Sequence, residues 1–390
     1  MVVISLQNLI ALRVGVSVLD LVGEFVASEY SDVLTIFKKI RPDEKGAQLV
    51  ISVGGNKVVD LSSGVDPDSL TTIFSVSKVL AAIAFAKIAS HGDLDFDERV
   101  SFYWPEFAEN GKREITVRQL LSHQAGLTAT DPQLTLEMIH DDHAAAVALA
   151  KQKPLWRPGA GFGYHGLTLG PLMSELCFRI TGLTIQNYYE KNIRQVAGAD
   201  AYLGLPEELE FRVKEMNQNR IEPTDEIANA FTRNPEVRQG ALSQWGMGKI
   251  PIRERYIRSG RAFGLASAEG VGSARGLAKL MQWATGFGGN DPGVNPKVLE
   301  DMSQMQVYGY DLSLEQEHRA YGTVFQKSTR FMPIGSYKAF GHDGAAGSLL
   351  YADPIGEVIL SYSVSRFTFP GGFDREIQPI IDLVGKIASA

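Results

Sequence analysis

The sequence predicts an α/β (α+β) protein, and three observations carry that prediction. Strand-like segments lie towards both ends of the chain, whereas roughly residues 100 to 235 read as helices broken by Pro and Gly. The length, 390 residues, is more than one compact core usually holds. Strands at both ends around a helical middle predict an α/β lobe built from the two ends of the chain, with a helical insertion and a shared cleft. The expected boundaries are residues 1–95 and 265–390 for the α/β part and 96–264 for the mainly helical part.

The elements follow in chain order. From Val18 to Lys39, Leu19, Val22, Phe25, Val26, Val33, Leu34 and Phe37 recur at helical spacing. Gln48–Val53, then Gly54-Gly55-Asn56, then Lys57–Leu61 reads as two strands joined by a hairpin turn. The apolar run Val79–Phe85 predicts a buried helix. Further helices are expected at Val117–His123, Ala144–Lys151, Leu167–Thr181, Ile185–Val196 and Glu207–Gln218. Strand character returns at Tyr321–Phe325, Gly347–Ala352 and Val358–Val364, and Pro379–Ile387 closes the chain as a helix.

Composition excludes several classes. A net charge of -7, with no basic run carrying interleaved aromatics, argues against nucleic acid as a partner. No uncharged apolar run reaches the roughly 18 residues of a membrane span. The apolar segment Met1–Leu12 has no basic residues before it and no small-residue cleavage site, so a cytoplasmic protein is expected. The single cysteine, Cys177, excludes an intramolecular disulfide and sits in a helical apolar pattern, where a buried inert thiol is expected. No Cys-rich zinc pattern occurs, and no metal or organic cofactor is expected.

Chemistry is concentrated in Ser75-Val76-Ser77-Lys78. On a helix, residues i and i+3 share a face, so Ser75 Oγ and Lys78 Nζ can meet. A neighbouring amine can activate such a serine as a nucleophile. Gly-x-Ser-x-Gly, the P-loop and G-x-G-x-x-G are all absent, which argues against an α/β-hydrolase elbow and against nucleotide chemistry. Pro158–His165 forms a glycine-rich loop that can present Tyr164 to a cleft. A phenol beside an ammonium is expected to have its pKa lowered towards a usable base. Phe340–Ser348 carries small residues, Gly344 among them, that let a substrate lie against strand backbone. An N–H there and that of Ser75 can form an oxyanion hole.

Taken together, these segments resemble the serine β-lactamase and penicillin-binding-protein superfamily, and within it the class C β-lactamase-like family VIII carboxylesterases. The S-x-x-K motif is Ser75–Lys78, the Tyr motif is Tyr164-His165-Gly166, and the third motif is His342-Asp343-Gly344. Trp104–Ala108, Thr116–Leu127 and Gly204–Leu209 are similar to framing segments of the family. The resemblance spans roughly residues 46 to 366. It implies a transpeptidase-like fold, in which an antiparallel sheet is flanked by helices and the site lies in the cleft beside a large helical domain. It also implies Ser75, Lys78 and Tyr164 as catalytic residues, the Ser75 and Ala345 N–H groups as an oxyanion hole, and His342, Gly344, His165 and Gly166 as substrate contacts. Departures bear on the substrate. Gly166 stands where lactamases carry an Asn, and His342 replaces a Lys that pairs with a lactam carboxylate. A mostly neutral His is a weaker anion anchor. Gly264–Gly270 replaces a P-S-x-N-G segment, and Glu269 is expected at the cleft rim.

The remaining histidines divide by context. His140-Asp141-Asp142-His143 looks like a metal cluster, but the alanines that follow make helix capping the expected role of the acids. His123 is expected to buttress the cleft. His165 either orients Tyr164, lines the acyl pocket or simply packs. The expected reaction is hydrolysis of a small ester through an acyl-enzyme on Ser75. The alternatives are a β-lactamase or D-amino-acid peptidase or amidase of the same superfamily, an acyltransferase, and a non-catalytic binding protein with this fold. The sequence does not set the oligomeric state.

Overall fold

The computed structural model describes residues 24–41, 46–130, 134–216, 258–330, 332–366 and 372–389. Twelve strands are named in chain order: β1 Phe25–Val26, β2 Ala47–Val53, β3 Asn56–Ser63, β4 Thr71–Phe74, β5 Ala201–Tyr202, β6 Gly270–Gly272, β7 Val307–Asp311, β8 Gln316–Tyr321, β9 Gln326–Lys327, β10 Phe340–Asp343, β11 Leu349–Asp353 and β12 Val358–Val364. Among the described residues six helices have ten or more residues: α1 Ser31–Ile40, α2 Ser77–Ser90, α3 Asp142–Lys151, α4 Leu169–Thr181, α5 Ala274–Thr285 and α6 Gln378–Ala388.

Nine strands form one sheet in the order β1-β3-β2-β12-β11-β10-β9-β8-β7, with antiparallel neighbours throughout. The two ends of the chain meet at its centre, where Leu49 faces Tyr362 and Val53 faces Val358. β12 is buried along its whole length, as expected of a strand covered on both faces. The period of two sorts its side chains between two cores. Leu349, Tyr351, Leu360 and Tyr362 join Val33 and Phe37 of α1 and Ile380, Ile381 and Val384 of α6. Leu350, Ala352 and Ile359 join Leu277, Leu280 and Met281 of α5 in a larger core that includes the helical region.

At the middle of that larger core lies α2. From Lys78 to Ala86 every residue is buried, and the run is apolar all round after Lys78, the pattern of a helix with no solvent face. A second, three-stranded sheet, β4-β6-β5, sits against its start. β4 runs directly into Ser75, and β10 and the loop before α4 converge on the same end of α2.

Several elements differ from expectation. The helical spacing from Val18 to Lys39 resolves into β1, a short 3-10 turn at Ser28–Tyr30 and α1; its first residues lie outside the described ones. Ile185–Val196 is helical throughout, as expected, but widens into a π-turn over Glu190–Arg194 between α-helical Ile185–Tyr189 and Gln195–Ala197. Glu207–Arg212 is a single 3-10 stretch, and residues 217–218 of that expected helix lie outside the described ones. The strand expected at Tyr321–Phe325 ends at Tyr321 instead. Val324 adopts φ 70°, and a turn leads to β9. The hairpin β7–β8 and the small sheet had no clear alternation in sequence.

Arg41 ties the two ends of the chain together. Its guanidinium is buried and bonds Tyr362 Oη and the carboxylates of Asp374 and Glu376. Removing one partner of a buried pair strands the other charges. Arg41→Ala is therefore expected to cost about 3–5 kcal/mol, read as a lower denaturation midpoint at unchanged m-value.

Candidate active site

Ser75 occupies the tight turn between β4 and α2, just before the first residue of the helix rather than within its first turn. Phe74 turns the chain at φ 50°, a conformation that is costly for a bulky residue and must be held by its surroundings. The holding bonds are visible. Val76 N–H donates to Ile73 O at 3.1 Å and Lys78 N–H to Ser75 O at 3.0 Å. Ser77 Oγ bonds Phe74 O and accepts from Gly270 N–H at 2.8 Å, pinning the turn to β6.

Lys78 is fully buried. Its Nζ donates to Gly166 O at 2.6 Å and to Ser267 O at 2.7 Å, and lies 3.4 Å from Ser75 Oγ. Two carbonyls and the Ser75 hydroxyl thus surround the amine, so an amine that has lost one proton can turn its lone pair only towards Ser75 while keeping both carbonyl bonds. Burial holds the Lys78 amine well below its ordinary range, opposed only in part by the Asp343 carboxylate.

Tyr164 comes from the loop before α4, and its hydroxyl donates to Ser75 Oγ at 2.7 Å. Its ring lies 4.7 Å from Lys78 Nζ. Gly163 admits this course, because a Cβ there would sit 2.4 Å from Ser313 Oγ. The backbone N–H of Tyr164 donates to the Asp311 carboxylate at 3.1 and 3.2 Å, and Tyr321 stacks under its ring at 6.0 Å between centroids. The expected lowering of the Tyr164 pKa does not occur. Burial pushes the phenol up, outweighing its bond to Ser75. The reason is enclosure: the ring and hydroxyl are buried, and the nearby Asp343 and Asp311 carboxylates add to the rise. Burial thus shifts the two groups in opposite directions, the Tyr164 phenol up and the Lys78 amine down.

The third wall is β10 and the turn that follows. A Cβ on Gly344 would stand 2.6 Å from Ile73 O, so only glycine lets this turn close against the strand that leads to Ser75. Gly344 N–H donates to Ser348 O at 2.7 Å and Gly347 N–H to Gly344 O at 2.9 Å, which leaves Ala345 exposed at the tip. Among the described residues, neither Ser75 N–H nor Ala345 N–H is given to a protein acceptor.

The four expected substrate contacts take different places. His342 is fully buried, with its ring 5.8 Å from that of Tyr164 and Nδ1 donating to Asp343 O at 2.7 Å. Burial lowers its pKa, so it is a neutral support under Tyr164 and not an anion anchor facing a pocket. His165 is also buried. Nδ1 donates to Gly163 O at 2.7 Å and Nε2 accepts from Leu127 N–H at 2.9 Å, and burial pushes its pKa down to about 4. Of the roles open to it, orienting the Tyr164 loop fits and lining the acyl pocket does not. Gly166 contributes its carbonyl to Lys78, and Gly344 contributes close approach.

Other expectations resolve as well. Asp141 caps α3, accepting from Ala144 N–H at 3.0 Å, and no group of metal-ligating side chains occurs among the described residues. His123, at φ 66°, accepts from His165 N–H at 3.1 Å and packs 5.1 Å from the Tyr164 ring, a buttress. Glu269 is not at a rim; it is buried and bonded to His140 Nε2 at 2.9 Å. Sequence reasoning missed Asp311, Tyr321 and the Ser267 carbonyl. A backbone acceptor leaves no trace in residue type, and an Asp at the end of an exposed hairpin strand reads as a turn residue.

This geometry sets a serine between a buried amine and a phenol on a sheet-and-helix scaffold. The chain belongs to the beta-lactamase family, whose pattern matches residues 35–384. The structure of EstA from Arthrobacter nitroguajacolicus Rue61a superposes with a TM-score of 0.83 at 38% identity, covering 94% of this chain and 98% of that one. A family VIII carboxylesterase superposes at 0.80 with 26% identity, covering 93% and 98%. The esterase/beta-lactamase LipL of Mycobacterium tuberculosis is 27% identical over 379 residues, 87% of this chain and 82% of its own.

Gly344→Ala is expected to push the β10 turn off Ile73 and cut kcat/KM by about 100-fold. Circular dichroism checks that the fold is retained while steady-state kinetics measure the loss.

Proposed function

We propose that this protein is a serine carboxylesterase that cleaves short, uncharged acyl esters through an acyl-enzyme on Ser75. One observation carries the reading: the buried Lys78 Nζ lies within hydrogen-bond reach of two carbonyls and of Ser75 Oγ, which also accepts from Tyr164 Oη. EstA, the family VIII carboxylesterase and LipL support the choice of ester.

In the first step Ser75 Oγ attacks the ester carbonyl and its proton passes to Lys78 Nζ. The N–H groups of Ser75 and Ala345 receive the oxyanion. As the tetrahedral species collapses, Tyr164 gives its proton to the leaving alkoxide, and the ammonium of Lys78 restores it. Water then attacks the acyl-enzyme by the same route in reverse, its proton taken by the Tyr164/Lys78 pair, and Ser75 leaves reprotonated. The two groups exchange one proton and titrate as a pair. The substrate lies where the α/β part (to about residue 95 and from about 265) meets the helical part.

The charge around Ser75 favours an uncharged substrate. Burial lowers the pKa of both Lys78 and His342, which weakens each as an anchor for a substrate anion. Arg319 is engaged with Tyr321 Oη, which in turn bonds Asp311. Asp343, on the third motif, is held in its charged form by His342 and Arg319 against the effect of burial. A carboxylate-bearing lactam would meet that charge. LipL carries both activities in its name, so nitrocefin and D-Ala peptides belong beside p-nitrophenyl acetate and butyrate in the assay. No described helix is long and apolar enough to cross a membrane. A cytoplasmic location is part of the proposal, supported by the unpaired buried Cys177.

Ser75→Ala is expected to abolish ester turnover with the fold intact, and Tyr164→Phe to lower kcat by about 10²–10⁴-fold. Mass spectrometry after a fluorophosphonate probe should place the label on Ser75 in the native chain alone; turnover by Ser75→Ala would overturn the reading. The pH profile has a fixed sign. Because the folded-state pKa of Lys78 is depressed, activity is present above it and is lost as pH falls through it. The acid limb of kcat/KM should therefore follow this amine and disappear in Lys78→Met, whose residual rate should be low at every pH.

A further inference from the structure

The Leu265–Gly270 segment touches two walls of the site, the turn that carries Ser75 and Lys78 and the loop that carries Tyr164. Ser267 O accepts from Lys78 Nζ, and Ser267 Oγ donates to Leu167 O at 2.9 Å, on the loop that carries Tyr164. Gly270 N–H donates to Ser77 Oγ at 2.8 Å, next to Lys78 on α2. A Cβ on Gly170 of α4 would lie 2.7 Å from both Leu265 and Ser267, so the helix is flush against the segment. Something must fix this turn, because a shift in Ser267 O would release one hydrogen of the amine.

We propose that Glu269 is that positioning residue, and that its buried carboxylate sets Lys78 through the Ser267 carbonyl. Glu269 closes the turn on itself. Its N–H donates to Leu265 O at 2.9 Å, while its Oε2 accepts from Leu265 N–H at 3.3 Å. Its other oxygen bonds His140 Nε2 at 2.9 Å, which anchors the turn to a separate element. The carboxylate is 2% exposed, and a charge so placed stays only where its bonds hold it. Asp142, beside His140 and Glu269, is half-buried and accepts from Gln186 Nε2 at 2.9 Å. Glu137 also faces His140, whose pKa is raised mainly by its bond to Glu269. Around Lys78 the other titratable groups are Ser75's partner Tyr164, Asp343, and the histidines 123, 165 and 342. None of these bonds Ser267 O, so the route from Glu269 to the amine runs through the turn.

This inference rests on the esterase reading for its activity assay, and a probe that needs only a reactive serine separates the two. Glu269→Ala is expected to lower kcat by about 10- to 100-fold at little changed KM. The acid limb of kcat/KM should move to higher pH, because an amine freed from Ser267 O is rehydrated and protonates more readily. Glu269→Gln keeps an acceptor for Leu265 N–H and should recover most of the rate and the native limb. The rate of fluorophosphonate labelling of Ser75 against pH gives the same comparison with no substrate assumed. If the native chain labels but turns over no ester, the esterase reading fails and the labelling ratio still decides the role of Glu269. If Glu269→Ala does not fold, His140→Ala, which removes the outer half of the clasp, carries the same measurement. An acid limb and a labelling profile unmoved in these variants, with only thermal stability lowered, would overturn the proposal.

Discussion

Everything at this site depends on keeping one amine dry. A lysine in water is charged and cannot take a proton from a serine; a lysine buried without charged partners gives its proton up. Lys78 is enclosed by α2, by the turn before α4 and by the Leu265–Gly270 segment, and its two hydrogens are matched by two backbone carbonyls. Carbonyls satisfy the donors of a neutral amine without supplying the full negative charge that would hold an ammonium in place. Backbone acceptors in direct contact, with the Asp343 carboxylate opposing only in part, let burial lower the amine's pKa beside Ser75.

The surrounding architecture serves that enclosure. β4 delivers Ser75 at a strained Phe74, and the turn tolerates the strain because Ser77 ties it to both Phe74 and Gly270. Tyr164 is placed from the opposite side by Asp311, which also takes Ser313 N–H, Leu314 N–H and Tyr321 Oη. His123, His165 and His342 fill the space beneath the phenol as neutral rings. Three histidines near a reactive serine invite a charge-relay reading. Their bonds to backbone groups and their depressed pKa values make them spacers that orient Tyr164.

Much of this was legible in the sequence, and the failures have physical causes. The central strand β12 and the closing helix were readable because a run of β-branched and apolar residues, or a clean helical stripe, admits one conformation. Val18–Lys39 misled because Phe25 and Val26 fit a helical stripe while pairing with β3 captured them as a strand, a tertiary override of local pattern. Ser75, Lys78 and Tyr164 were legible as residue types at motif spacing. The direction of the Tyr164 pKa was not, because it is set by the burial of the phenol itself, which no local pattern shows. Glu269 was misplaced at a rim for the same reason: a lone Glu in a loop reads as solvated until His140, far off in sequence, is seen to meet it.

The central claim is that Lys78 is a neutral amine in the resting protein. Its most direct test is an NMR titration of lysine Nζ and Cε resonances in isotopically labelled native chain, with Lys78 assigned by the signal missing from Lys78→Met. The account predicts one lysine that loses its proton far below the ordinary value of about 10.4 and whose amine signals shift when Ser75 is acylated by a fluorophosphonate. A Lys78 resonance that titrates with the surface lysines would contradict it.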